Sequence, residues 1–180
     1  MRKYDHTTTM DSGTATLPTE WYAIQTRSRH EKVVGQLLNR RSIDAFVPLL
    51  RQKRRWADRD KDVATPLFPG YVFVETDLEN RVEILRTHGV VRIVGDGRRP
   101  LPVDRKTISD IMSALRTTHQ VHPYPCLKEG CTVRVKRGPL AGCEGILIKF
   151  RSKHCLVMQI TLIQQAVAVE VEAGDVDGVY

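Results

Sequence analysis

The sequence predicts an α+β fold in two parts, a helix-and-strand domain followed by a small all-β barrel. Three observations carry this. From Trp21 to Leu115, short apolar runs alternate with stretches of helical period. From Arg116 to Pro125, "RTTHQVHPYP" holds two prolines and no apolar period, the composition of a linker. Beyond it, "CTVRVK", "EGILIKF", "HCLVMQITL" and "AVAVEVE" are short strands at regular spacing, the pattern of a barrel.

Each element has its own signal. "WYAIQT", Trp21 to Thr26, is rich in aromatic and branched residues and predicts a strand. Ser28 with Glu31 forms a capping-box pattern for a helix reaching about Arg41. Val33, Val34, Leu37 and Leu38 form its apolar face, with Arg29, Lys32, Gln36 and Arg40 opposite. Ala45–Leu50 predicts a second strand. "RQKRRWADRDKDVAT", Arg51 to Thr65, is charged and lacks helical period, so an exposed hairpin or loop is expected there. "PLFPGYVFVE" supplies the next strand, Tyr71 to Glu75. Thr76 and Glu79 form a second capping box before a helix with Leu78, Val82 and Leu85 inward. Val90–Val94 is a strand closed by the turn "GDGRRP". Asp104 then caps a helix with Ile108, Ile111, Met112 and Leu115 at i, i+3, i+4 and i+7. The first part is thus a sandwich with helices on one side of a mainly antiparallel sheet.

Composition narrows the function classes. The 180 residues carry a net charge of +7. Residues 21–118 hold a net +7, the first twenty −1 and the remainder +1. A positive excess confined to one segment points to a polyanion such as nucleic acid, although a solvated basic surface has the same composition. No run approaches the ~20 apolar residues that span a membrane. The first 20 residues lack the apolar core of a secretory signal and read as a disordered tail. The expected compartment is the cytoplasm, where the four cysteines stay reduced thiols.

Catalytic chemistry finds no constellation. None of the six histidines lies in a nucleophile or metalloprotease signature. Gly95-Asp96-Gly97 resembles the start of a dinucleotide fingerprint, but Pro100 stands where its third glycine belongs, so a turn is the better reading. No cofactor is expected. His119, His122, Cys126 and Cys131 place four zinc-type ligands in one short run, in an unusual order and partly in the linker. Cys143 and Cys155 fall on barrel strands as small core residues. The basic groups say more. Arg27, Arg29, Lys32, Arg40 and Arg41 lie on or beside one helix, and Arg54, Arg55 and Trp56 sit in the charged segment. Arginine neutralises phosphate, and an exposed Trp stacks on an unpaired base or folds back on the sheet. The step Phe68-Pro69-Gly70 is odd before a buried strand. On residues alone, Phe68 packing against the helices is the plainer reading.

The order of these segments carries a resemblance. "WYAIQT", the amphipathic helix, "PLFPGYVFVE" and "GVVRIVG" look like the N-terminal (NGN) domain of the NusG family of transcription elongation factors. "LKEGCTVRVKRGPLAGCEGILIKF" resembles the KOW motif of an SH3-like barrel, with Gly138-Pro139 as a turn and Gly142 and Gly145 tightening the hairpin. The implied division is a tail at 1–20, an NGN domain at 21–117, a flexible linker at 118–126 and a KOW domain at 127–180.

The resemblance implies a bridge across the polymerase cleft that suppresses pausing and makes no bond. An exposed apolar pocket of Trp21, Leu67, Phe68, Pro69, Gly70 and Tyr71 is expected to grip the clamp helices of the largest RNA polymerase subunit. Pro69 and Gly70 would tip Phe68 out of the sheet's alternation. Asn80 and Arg81 match a second polymerase contact, where the His-Thr-Thr-Thr run of specialised members is replaced by "ENRVE". Arg27, Arg40, Arg41, Thr87 and His88 are expected to face the non-template DNA strand. Leu140 and Ile163 stand where housekeeping members carry phenylalanines that meet Rho or a ribosomal protein. With the basic NGN domain, this resembles the specialised paralogues of the RfaH, UpxY and LoaP type, which antiterminate particular operons. A housekeeping factor and a ribosome-associated RNA-binding protein are the rival readings. A monomer without membrane contact is expected, with a barrel that stays β because its strands are strongly β-prone.

Overall fold

A computed structural model describes residues 18–56, 59–117, 121–125, 130–150 and 153–178. Of the expected tail at 1–20, residues 1–17 lie outside them, as do the candidate ligands His119 and Cys126, while Glu20 already belongs to the first strand. The first part runs β1 (Glu20–Thr26), α1 (Glu31–Asn39), β2 (Asp44–Phe46), β3 (Leu49–Trp56), β4 (Arg59–Pro66), β5 (Tyr71–Thr76), α2 (Arg81–Arg86), β6 (Val90–Ile93), β7 (Pro102–Val103) and α3 (Arg105–Thr117). Its main sheet has the order β2-β5-β1-β6, with β7 also on β1, and every pairing is antiparallel. β3 and β4 form a separate two-stranded ribbon, so the charged segment is a hairpin.

The helices lie on both faces of the main sheet, not on one as expected from the sequence. Tyr22, Ile24, Val72 and Val74 join Val34 and Leu38 of α1 and Ile84 of α2 in one core. Trp21, Ala23 and Phe73 join Ile108, Ile111 and Ala114 of α3 in another. The reason is in the strands. β1 is apolar at odd and even positions alike, and successive side chains point to opposite faces, so both faces need cover.

Two helix details also differ. In α1 the buried positions are Glu31, Val34, Gly35 and Leu38, while Val33 is exposed. The inward face is rotated because Gly35 lets Val47 sit against the helix, and a Cβ there would lie 2.4 Å from the Val47 side chain. In α2 only Ile84 is buried, and Val82 and Leu85 are exposed. Thr76 does not cap that helix. It ends β5 and accepts a bond from Leu78 N–H at 3.3 Å. In α3, by contrast, Asp104 accepts from Thr107 N–H at 2.8 Å, the predicted cap.

The second part is all β: β8 (His122–Pro125), β9 (Thr132–Val135), β10 (Glu144–Phe150), β11 (Lys153–Ile160), β12 (Gln165–Val171) and β13 (Val176–Gly178). They form one antiparallel sheet in the order β13-β9-β10-β11-β12-β8. β8 lies inside the expected linker, yet Ala166 and Ala168 of β12 pair with Tyr124 and His122. Its prolines are tolerated because β8 is an edge strand. Val121 just before it is buried.

Gly145 is held by close approach, not by backbone angle. A Cβ there would lie 2.5 Å from the Val157 carbonyl oxygen on the neighbouring strand. Gly145→Ala therefore forces β10 from β11 and is expected to cost about 1–3 kcal/mol. Urea unfolding checks this.

Candidate functional site

The Phe-Pro-Gly step is a β-turn. Tyr71 N–H donates to Phe68 O at 3.1 Å, closing the four residues, and Gly70 has φ 82°. Proline at the second turn position and a left-handed glycine at the third define type II. Gly70 is then fastened on both sides. Its carbonyl accepts from Thr26 N–H at 2.8 Å. Its N–H donates to Glu31 Oε1 at 2.6 Å. Glu31 is therefore not the capping-box partner of Ser28. It is buried and crosses to the turn, and a buried carboxylate requires such a donor. The N-cap position is His30, without a side-chain cap bond.

This turn aims Phe68 inward, which corrects the expected exposed pocket. Leu67 and Phe68 are each 1% exposed, and Phe68 meets Phe73 edge-on with centroids 5.6 Å apart. Trp21 is also buried and meets Phe46 edge-on at 6.4 Å. Only the rim is reachable: Pro69 is exposed, and Gly70 and Tyr71 are half-buried. The cluster holding these rings runs on through α3 into the barrel, reaching Leu140, Cys143 and Ile163.

α3 is the joint between the parts. Lys106 Nζ donates to Gly142 O at 2.8 Å and pairs with Asp110 at 3.1 Å. Asp110, itself buried, accepts from Glu144 N–H at 2.9 Å. Thr117, at the far end of α3, lines a cavity of about 300 Å³ with Gly138, Pro139 and Leu140. α3 thus lies along the Gly138-Pro139 turn. Gly138 and Gly142 have the left-handed φ expected of that turn, 84° and 88°. Leu140 and Ile163 are buried, so neither is offered to a partner in this arrangement. Cys143 sits at the joint. Burial, with Asp110 adding to it, pushes its thiol from 9.0 up to about 11.

The basic residues form a different surface. Arg27 and Arg40 are exposed. Arg41 reaches α2, where Nη1 donates to Thr87 Oγ1 at 3.1 Å and pairs with Glu83 at 3.4 Å. Thr87 is buried, and its hydroxyl also donates to Glu83 O at 2.8 Å. It therefore positions Arg41 and is not itself presented to a ligand. His88 is exposed, with its ring 5.6 Å from His30. Arg27 N–H donates to Gly89 O at 2.8 Å, which brings this group together at the ends of β1, α1 and α2. Asn80 and Arg81 lie exposed at the start of α2. In the ribbon, Trp56 is opposite Arg59, and the stacking role expected of it falls on a side chain outside the described ones. His122 lies on β8 and Cys131 is an exposed free thiol. Among the described residues no group of His, Cys, Asp and Glu could hold a metal ion.

A family model described as "Transcription termination factor nusG" matches residues 19–112, just over half the chain. The chain belongs to the NusG family. Its role is in transcription. NusG of Helicobacter pylori strain J99 is 25% identical over 173 residues, covering 88% of this chain and 97% of that protein. NusG of Deinococcus radiodurans is 28% identical over 171 residues, covering 80% and 90%. Both are described as transcription termination/antitermination proteins. A solved structure concerned with domain interaction in Thermotoga maritima NusG has a TM-score of 0.54 at 21% identity, covering 90% of this chain and 98% of that one. It supports the NusG fold across both parts. No described helix is long and apolar enough to cross a membrane.

The joint makes a chemical prediction. At pH 8, Cys143 should alkylate about 100-fold more slowly than an ordinary thiol from its raised pKa alone, while exposed Cys131 reacts before it. Asp110→Ala removes the acceptor from Glu144 N–H and should speed Cys143 labelling. Mass spectrometry of timed iodoacetamide reactions reads both.

Proposed function

We propose that this NusG-family chain binds the clamp helices of the largest RNA polymerase subunit, spans the cleft and suppresses pausing. The observation that carries this is the anchored type II turn, which sets a continuous apolar cluster behind a rim of exposed Pro69 and half-buried Tyr71. An exposed rim over large buried rings suits a partner helix. For Phe68 itself to reach that partner, the α3–barrel side of the cluster must open. The function lies in differential affinity for the moving over the paused enzyme, and it needs no catalytic group.

Arg27, Arg40, Arg41 and His88 are proposed to meet the non-template DNA strand, with Thr87 holding Arg41 in place. Asn80 and Arg81 are proposed as the second polymerase contact. The barrel's turn, Gly138 to Leu140, with Ile163, is proposed as the surface for Rho or a ribosomal partner once α3 is released. We further propose a cytoplasmic monomer that serves particular operons as a specialised paralogue. Support for specialisation comes from Leu140 and Ile163, which stand without the aromatic rings of the housekeeping barrel, and from the basic first domain. The names of its relatives favour a second reading, the general elongation factor.

The test is in vitro elongation on a pausing template with purified polymerase. The chain should bind polymerase and shorten pauses. Tyr71→Ala, a change at the rim, should weaken that binding by about 2 kcal/mol if the ring is a hot spot. Recovery of ribosomal RNA without polymerase would point to the KOW barrel instead. Chromatin occupancy confined to a few operons supports the specialist, and genome-wide occupancy the general factor.

A further inference from the structure

A second basic site uses arginines other than Arg27, Arg40 and Arg41. A cavity of about 240 Å³ opens between α2, β6 and the turn at residues 95–100. Four arginines line it: Arg81, Arg92, Arg98 and Arg99. All four are exposed at its rim. Leu85, an exposed apolar residue of α2, lies among them.

The turn is built to hold two of these arginines in place. Gly95 bridges Pro100, and Leu101 N–H donates to Val94 O at 3.2 Å. Asp96 Oδ1 accepts from the N–H groups of both Arg98 and Arg99, each at 2.9 Å. These bonds, that from Arg99 first, hold the Asp96 carboxyl below the usual carboxylate range. Among the described residues its side-chain ion pair is a long one to Arg99 at 3.9 Å. Among the described residues no carboxylate lies within ion-pair distance of Arg81, Arg92 or Arg98. Arg92 instead donates through Nε to the neutral Gln25 side chain at 2.7 Å. One carboxylate therefore stands against four guanidinium groups.

We propose that this cavity binds the phosphate backbone of a nucleic acid. Guanidinium groups present forked donors suited to phosphate oxygens. The cavity is smaller than ordinary small-molecule sites, which run to roughly 300–1,000 Å³ and bury most of their ligand. A free phosphate compound would stay largely wet here, whereas a chain laid across the rim meets all four arginines. Leu85 offers an apolar contact beside them for a sugar or base. The site adjoins the first basic surface, since Gln25, which holds Arg92, is two residues before Arg27. It does not depend on that surface binding DNA. Arg81 is shared with the second polymerase contact proposed above, so Arg98 and Arg99 carry the test.

The experiment is fluorescence anisotropy of the full chain with labelled single-stranded DNA, duplex DNA and hairpin RNA of equal length, across a salt series. Arg98→Gln with Arg99→Gln keeps both backbone N–H bonds to Asp96, so the melting temperature should not move. The double variant should weaken binding several-fold and lower the salt slope by about one to two. The nucleic acid showing that loss identifies the ligand. An unchanged slope, with Arg27→Gln and Arg40→Gln lowering theirs, overturns this site and leaves the first surface standing. Failure of the wild-type chain to bind any of the three overturns it as well. Inorganic pyrophosphate bound tightly by the wild type and lost in the variant, with nucleic acid unaffected, would overturn the assignment to a polymer.

Discussion

The hydrogen bond from Gly70 N–H to the buried Glu31 carboxylate fixes where the first domain's parts stand. It joins the start of α1 to the turn entering β5. A charged acceptor and a short 2.6 Å separation place it among the stronger hydrogen bonds. The same glycine's carbonyl is held by the end of β1. One residue thus ties two adjacent strands and a helix. From this anchor, the turn directs Phe68 into one core while α1 covers the other. The far end of α1 then carries Arg40 and Arg41 toward α2. The anchor holds the first residue of α1 and the basic pair follows its last, so the helix keeps the two surfaces apart.

The second organising feature is α3. It closes the sheet face that holds Trp21 and Phe73, and it also meets the barrel through Lys106 and Asp110. Both apolar regions proposed above as partner contacts, around Phe68 and around Leu140, belong to the cluster that runs through this helix. A polar joint of this kind is specific more than strong. Asp110 is buried and must keep Lys106 and Glu144 N–H, whereas half-exposed Lys106 remains wet. On the function proposed above, partner access to either region requires this joint to open.

Much of this was legible in the sequence, and the failures have physical causes. The strands, the hairpin and the Asp104 cap follow from period, charge and residue type. The two-sided cover of the sheet was also written there, since β1 is apolar at consecutive positions. Reading that run as one buried face missed the second layer. Pro69-Gly70 was readable as a backbone device, and the plainer reading of the residues, Phe68 packed inward, holds; the outward tip came only from the resemblance. A turn's side-chain direction depends on what fastens it, and Glu31 is 39 residues away. The capping-box reading failed for the same reason, because a better donor than the helix start competed for Glu31. Two prolines made β8 read as linker, although an edge strand accepts them. Asp110 and Glu144 are 34 residues apart and carry no local pattern, so the joint could not be foreseen. The arginine cavity was hidden because Arg81, Arg92, Arg98 and Arg99 converge only when α2, β6 and the turn are folded.

The central claim is that the rim of the Phe-Pro-Gly turn is where polymerase meets this chain. Site-specific photo-crosslinking from position 69 in a reconstituted elongation complex tests it most directly, because Pro69 is exposed and its ring is free of the buried cluster. The account predicts a crosslink to the largest polymerase subunit within its clamp helices. A crosslink confined to another subunit, or none in a complex shown to contain the chain, would contradict it.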